Sequence, residues 1–397
     1  MSKNKIPLNI NTSISLFLDI ICHYYLLVAY VNYAKLGNSR CNAFLSYTTI
    51  RDASIFVFEA NKFMSRYGYR FDDQSVLWKN IEKIRHHVHL FISKEKTFES
   101  ESRRINASIL DLKRAFLTEP KDDIYNLRND LELIQLLNGS KKILMGSTLF
   151  PWDILRDTDM IKNGKIIGDR IQQYSKELAS TLNSLRFPVE ELIGGILSSM
   201  PTPLTIKSPN KDIIHHEDVK IDYVLEKSPY SFEITYCLMI ILHEIGSLKF
   251  LLENFLESSI WLESNDIWMY FISKQIAIRL YEIYDAINII EKIYPEKDSI
   301  PLIKELSEAG LFPMDHDLYD FSHNLRNALH YNHNKWAIDL SNSFYLNQCF
   351  IRQAGVNNKK TDFRDFYTKK YHEMTNLLFN LHRWIISKVD LEGEPAD

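Results

Sequence analysis

The chain has 397 residues, 45% hydrophobic and 25% charged, an ordinary globular balance with length enough for two domains. A formal net charge of −4 provides no global basic field, which argues against nucleic-acid binding through overall charge and leaves room only for local basic patches. Only 12 Gly and 12 Pro interrupt long apolar-periodic stretches, so the chain is expected to be all-α.

In chain order, helical spacing of apolar residues covers 13–36, 44–66, 76–94, 102–117 and 123–138. It returns over 167–186, 230–258, 266–293, 300–308, 317–332 and 363–388. The first stretch contains "SISLFLDIICHYYLLVAY" (13–30), where Asp19 and His23 keep the uncharged runs well short of the ~20 residues a membrane span needs. It reads as a buried core helix, and no membrane association is expected. His23 and His243 lie in apolar runs and read as core histidines. The four cysteines form no CxxC pair and read as buried free thiols of a cytoplasmic protein.

Residues 187–229 differ in composition. "FPVEELIGGILSSMPTPLTIKSPNKD" concentrates Pro and Gly, and the segment reads as turns with short β-like runs such as "DVKIDYVL". "HHED" (215–218) has the residue types of a metal site without its helical spacing, and reads as a solvated turn. Near the C-terminus "KKTDFRDFYTKKYH" (359–372) is basic and aromatic, a solvent-facing run with the chemistry to meet an RNA backbone.

Three pairs of segments repeat in the same order. "DIICHYY" (19–25) resembles "MIILHEI" (239–245), laying His23 on His243 at an offset of 220. "TTIRDASIFVFEANKF" (48–63) resembles "KQIAIRLYEIYDAINI" when Arg51 is laid on Arg279, an offset of 228. "KIRHHVHL" (83–90) resembles "NLRNALHY" (324–331), laying Arg85 on Arg326 and His89 on His330 at an offset of 241. The offset grows in one direction, as loop insertions in a second copy require, one of them around "YPEKDSIPLIKELSEAGLFPMDHD". The implied unit is an up-and-down bundle of four or five helices, present twice. The corresponding division is an N-terminal bundle over 1–140, a connecting segment over 141–229 and a C-terminal bundle over 230–397.

The third pair carries chemistry. Read as a helix, "FSHNLRNALHYNH" (321–333) sets Leu325 and Leu329 on one stripe and Arg326, Asn327, His330 and His333 on neighbouring positions beside it. A histidine titrates near neutrality and can take the 2′-hydroxyl proton of RNA or return one to the leaving oxygen. An arginine fork stabilises charge developing on phosphate. Because the 2′-hydroxyl is itself the nucleophile, such cleavage needs no metal cluster and no Gly-rich phosphate loop, and no cofactor is expected.

"NLRNALHYNH" resembles the signature of HEPN domains, small helical bundles of prokaryotic toxins and antiphage proteins, in which an Arg and a following polar residue precede His by four to six residues. Arg326, Asn327 and His333 match that spacing, whereas His330 has three intervening residues. In the first copy Arg85 and His86 match the first two positions, and His89 again follows after three. The resemblance implies a dimer whose motif helices face each other across one composite endoribonuclease site. With two copies in one chain, that pairing is expected as an internal pseudo-dimer or, failing that, as a homodimer.

The sequence therefore leads to a metal-independent endoribonuclease of an abortive-infection or toxin–antitoxin defence system. Arg326 would hold phosphate, His330 or His333 would move protons, and Asn327 would orient phosphate or histidine. Arg85, His86 and His89 would complete the site, and RNA together with an antitoxin or companion defence subunit would be its partners. The other reading is a non-catalytic helical sensor or adaptor with degenerate copies.

Overall fold

The computed structural model describes residues 10–36, 39–69, 74–91, 103, 133–137, 143–146, 154–162, 165–193, 215–219, 224, 226–254, 266–293, 296–328, 350–351, 354–356 and 361–389. These residues are predominantly helical and the fold is all-α. In chain order the helices are α1 (Ile10–Leu36), α2 (Ser39–Met64), α3 (Val76–Phe91), α4 (Gly168–Ile193) and α5 (Phe232–Asn254). They continue as α6 (Asp266–Ile293), α7 (Glu296–Glu308), α8 (His316–Ala328) and α9 (Phe363–Lys388).

Local chemistry sets several of the ends. Ser75 Oγ accepts from the Trp78 amide at 3.1 Å at the start of α3, and Asp362 accepts from the Asp365 amide at 3.0 Å at the start of α9. Asp315 accepts from the amides of Asp317 and Leu318, which fixes the first turn of α8. Positive φ at Gly68 and Gly310 turns the chain after α2 and α7, a conformation that a residue without Cβ adopts freely.

Three expectations need correction. Residues 123–138 were expected to be helical, yet "LIQLL" forms strand β1 (Leu133–Leu137). It pairs antiparallel with β2 (Ile143–Gly146) on one side and β5 (His215–Val219) on the other. A five-residue apolar run has no period of its own, so strand pairing with a distant segment decides its conformation. The same pairing makes "HHED" part of a strand rather than a turn. A second, two-residue ribbon joins β3 (Ile161–Lys162) to β4 (Lys165–Ile166).

The third correction is α4, which runs through Pro188 to Ile193 where a break at residue 187 was expected. Leu178, Leu182, Leu185 and Val189 form one buried stripe, so packing continues past the missing amide of proline. Of the expected helix over 102–117 only residue 103 is described, and the acidic tail after 389 lies outside the described residues.

Packing follows a repeated pattern. In the N-terminal half, α1 packs on α2 and α4, α2 on α3 and α4, and α3 on α4. In the C-terminal half, α5 packs on α6 and α9, α6 on α8 and α9, and α8 on α9. Between the halves α1 meets α6 and α2 meets α5. The segment 141–229, expected to be connecting, thus supplies α4 as a packing partner of α1. One hydrophobic core runs without interruption from α1 to α9.

Helices α1 and α5 are apolar on nearly all sides because both lie inside this core. Phe232–Leu252 of α5 is long and apolar enough to cross a membrane, and 89% of that window is buried within the molecule. His23 and His243 are buried as expected. The His23 ring stacks on Phe56 at 4.5 Å and meets Phe271 edge-on at 4.9 Å, and burial lowers its pKa to about 3. Cys22 and Cys237 are free thiols.

Candidate functional site

Helix α8 places the second copy of the motif against α6. Leu318, Phe321 and Leu325 are buried, and the turn between them leaves Tyr319, His323, Arg326 and Asn327 half-buried along the flank. The Tyr319 and His323 rings lie nearly parallel, 14° apart with centroids at 6.2 Å. Tyr281 of α6 completes the group, 5.4 Å from Tyr319 and 5.3 Å from His323. The Arg326 guanidinium sits 5.9 Å from the Tyr281 ring centroid, a cation–π distance. Asn327 meets His323 Nε2 with its side-chain amide at 2.9 Å, one helical turn away.

Among the described residues Arg326 has no carboxylate partner, whereas Arg51, Arg85 and Arg279 are each paired with acids. Burial is the largest cause of the raised Tyr281 pKa. Its hydrogen bond with Tyr319 and the nearby Asp285 act in the same sense, and Arg326 acts against them.

His330 and His333 lie outside the described residues. Helix α8 is described to Ala328, so the helical reading of "FSHNLRNALHYNH" holds over 321–328. Sequence reasoning missed Tyr281, Tyr319 and His323. The spacing 319, 323 and 327 was the available signal, because residues four apart share a helix face. Nothing local pointed to Tyr281, which comes from another helix.

The first copy of the motif sits on α3 and is engaged differently. Arg85 pairs with the buried Glu59 of α2 at 3.5 Å and lies 4.3 Å over the Phe58 ring. His86 is exposed, 5.9 Å from the ring of its neighbour His87. His89 lies within α3, and its side chain is outside the described residues. The buried histidine of this stretch is His87, whose Nδ1 lies 3.1 Å from the Ile154 carbonyl and whose Nε2 lies 3.3 Å from Asp157. Asn80 and Lys83 reach Asp159 and the Asp157 carbonyl from the same helix. The polar side of α3 thus clasps the 154–160 loop. No described contact joins Arg85 to Arg326.

A second polar group lies where α2 meets α5 and α6. Arg51 reaches Glu244 at 3.2 Å and Glu282 at 2.9 Å, while Arg279 meets both oxygens of Asp52 at 2.8 Å and also touches Glu244. Arg51 also lies 3.4 Å from Asp52, so the two arginines aligned by the repeat share two carboxylates, Glu244 and Asp52. Burial pushes the Asp52 pKa up to about 7, with Glu282 acting in the same direction and Arg51 against it. The Arg279 contact also favours the charged form, and the group as a whole holds three carboxylates against two guanidiniums. A small pocket opens beside it, lined by Thr49, Asp52, Ser247, Gln275 and Arg279 over leucines.

Elsewhere the basic stretch on α9 is largely neutralised. Lys369 and Lys370 flank Glu373, and Arg364 pairs with Asp266. Among the described residues, no three His, Cys, Asp or Glu side chains are grouped to hold a metal ion. No family model matches the chain, and neither a curated protein nor a solved structure matches it.

Proposed function

We propose that the chain is an internally duplicated HEPN-like protein whose C-terminal half carries a metal-independent endoribonuclease site of the abortive-infection or toxin–antitoxin kind. The duplication draws support from the neighbour pattern of the helices. Laying α1, α2, α3 and α4 on α5, α6, α8 and α9 turns every packing pair of one half into a packing pair of the other. The same exchange turns the α1–α6 contact into α5–α2, as a pseudo-twofold requires. Helix α7 then falls in the insertion expected before the second motif.

The nuclease reading rests on one observation above all: a half-buried Arg326 with no acidic partner among the described residues, beside Asn327 and one turn from an imidazole. An arginine already neutralised by a carboxylate has little to offer a phosphate, and among the described residues none neutralises Arg326. In this reading Arg326 stabilises the charge on the pentacoordinate phosphate and His330 or His333 transfers protons. Arg85 serves the fold through Glu59 rather than chemistry. RNA is the substrate, with an antitoxin or companion subunit restraining the activity.

The test is incubation of the protein with total RNA in EDTA. Fragments ending in 2′,3′-cyclic phosphate are expected, and Arg326→Ala is expected to remove them and any growth arrest on expression while the melting temperature stays within a few degrees. Cleavage of equal rate by Arg326→Ala rejects the assignment.

The engaged state of the first motif favours a second reading, that of a sensor or adaptor without chemistry. Arg85 and His87 both hold structure together. Intact RNA in the same incubation, with the wild-type protein folded, leaves that reading.

A further inference from the structure

The first half of the molecule shows what its motif arginine holds. Arg85 lies 4.3 Å over the Phe58 ring and pairs with the Glu59 carboxylate. Trp78, seven residues before Arg85, stacks on Phe58 with centroids 5.5 Å apart and planes 10° off parallel. That set is complete: one cation, one anion and two stacked rings. At the repeat offsets Trp78 corresponds to Tyr319 and Arg85 to Arg326, but Glu59 corresponds to Ile287, a buried apolar residue. The second half keeps the cation and its aromatic company, and among the described residues it lacks the anion.

We propose that this flank of α8 is a nucleotide shelf, on which the half-buried rings of Tyr319 and His323 stack a base of single-stranded RNA while Arg326 holds an adjoining phosphate. This rests on the nuclease reading above for RNA as the ligand, and adds to it the residues that seat a base. The phosphate takes the part that Glu59 plays in the first half, at a guanidinium whose planar fork suits two oxygens.

The geometry supports the shelf in three ways. Tyr319, His323, Arg326 and Asn327 follow at spacings of four, three and one, so they share one side of the helix. Arg326 stands about 4.5 Å of helix rise from His323 and about 10 Å from Tyr319, a span that one nucleotide bridges. Beneath them Tyr281 is 7% exposed and backs both rings, at 5.4 and 5.3 Å, so the shelf is braced by α6. The Asn327 amide donates to His323 Nε2 at 2.9 Å, which puts the ring proton on Nδ1 and fixes the plane of the imidazole. Rings already ordered lose little freedom when a base settles on them. Every base has a π-face, so the shelf tells a base-bearing strand from bare backbone rather than one base from another.

The decisive experiment measures binding apart from cleavage. Fluorescence anisotropy follows two short labelled probes, both 2′-O-methylated at every sugar so that neither can be cut, one of mixed bases and one abasic throughout. Wild type is expected to bind the base-bearing probe roughly tenfold or more tighter than the abasic one, as stacking on a single aromatic side chain provides. Tyr319→Ala is expected to lose that preference and to bind the abasic probe as wild type does, whereas Tyr319→Phe keeps the ring and the preference. Arg326→Ala is expected to weaken both probes alike and to lower the slope of log affinity against log salt by about one. Equal affinity of wild type for the two probes, or binding of neither, overturns the shelf, as does a Tyr319→Ala variant that keeps the preference. If that protein still cuts RNA, the nuclease reading stands without the shelf. A wild type that prefers the base-bearing probe through Tyr319 but releases no cyclic-phosphate ends overturns the nuclease reading and leaves the shelf. Thermal melts of each variant separate lost binding from lost fold.

Discussion

Two titratable groups, the buried His23 and the half-buried Asp52, respond to acid in opposite senses. His23 has its pKa lowered from 6.5 to about 3, so its contribution to stability is present above pH 6.5 and is lost as pH falls toward 3. Asp52 has its pKa raised from 3.8 to about 7, so its contribution is present below pH 3.8 and is lost as pH rises through 7. Over the shared window the native state holds the Asp52 proton and the unfolded chain holds the His23 proton, and the two slopes oppose each other. Asp52→Asn is therefore expected to make the melting temperature rise more steeply with pH between about 4 and 6.5 than in wild type. His23→Phe is expected to tilt it the other way. The limiting slope is about 1.4 kcal/mol per pH unit for one proton. Parallel curves for wild type and both variants, measured by thermal melts, would reject this account.

Legibility at this scale was uneven. His23 and His243 were recognisable as core residues because apolar neighbours surround them in sequence. Arg326 and Asn327 were singled out by spacing, and the half-buried flank they share with His323 was not. The carboxylates that hold Arg51 and Arg279 were not, since Glu244 is 193 residues from Arg51 and no period links them.

Among the elements, α6 carries the largest structural demand. Nearly every residue from Ile267 to Tyr281 is buried, including Lys274, whose ammonium meets Asp19 of α1 at 2.5 Å with the two side chains 0% and 2% exposed. Removing one member leaves a charge in the core, so Lys274→Ala is expected to cost about 3–5 kcal/mol. The double variant Asp19→Leu/Lys274→Met is expected to recover most of that loss, because apolar side chains of similar volume need no solvation. Chemical denaturation of the three proteins distinguishes this from a pair of negligible worth, for which the single variant would match wild type.

The limits of α6 and α9 were legible because long helices repeat their apolar period many times. β1 was not, since its five residues depend on β5 some 80 positions later for their pairing. Proline 188 was misread for a related reason: a local breaking tendency of a few kcal/mol is outweighed by a buried leucine and valine stripe that only the packed bundle reveals.

For the whole molecule, the α1–α6 and α2–α5 contacts and the single continuous core predict that the halves unfold together. One calorimetric transition is expected, with equal van't Hoff and calorimetric enthalpies, and residues 1–225 and 226–397 expressed as separate chains are expected to co-purify as a pair. Two resolved transitions would show that the halves are independent. The all-α class was legible in the apolar periodicity, but the ion pairs that tie α2 to α6 were not, because pairs such as Arg51–Glu282 join positions with no sequence relation.

Glu244 stands at that seam and receives both Arg51 and Arg279. At the offset of 220 its counterpart in the first half is Tyr24, a residue that bears no charge at neutral pH. Two identical subunits about a twofold axis must offer either two such acids or none. A single chain can offer one, and here Glu244 meets two arginines. The acid that ties the two arginines together therefore stands in the C-terminal half alone, and the aligned position of the N-terminal half carries none.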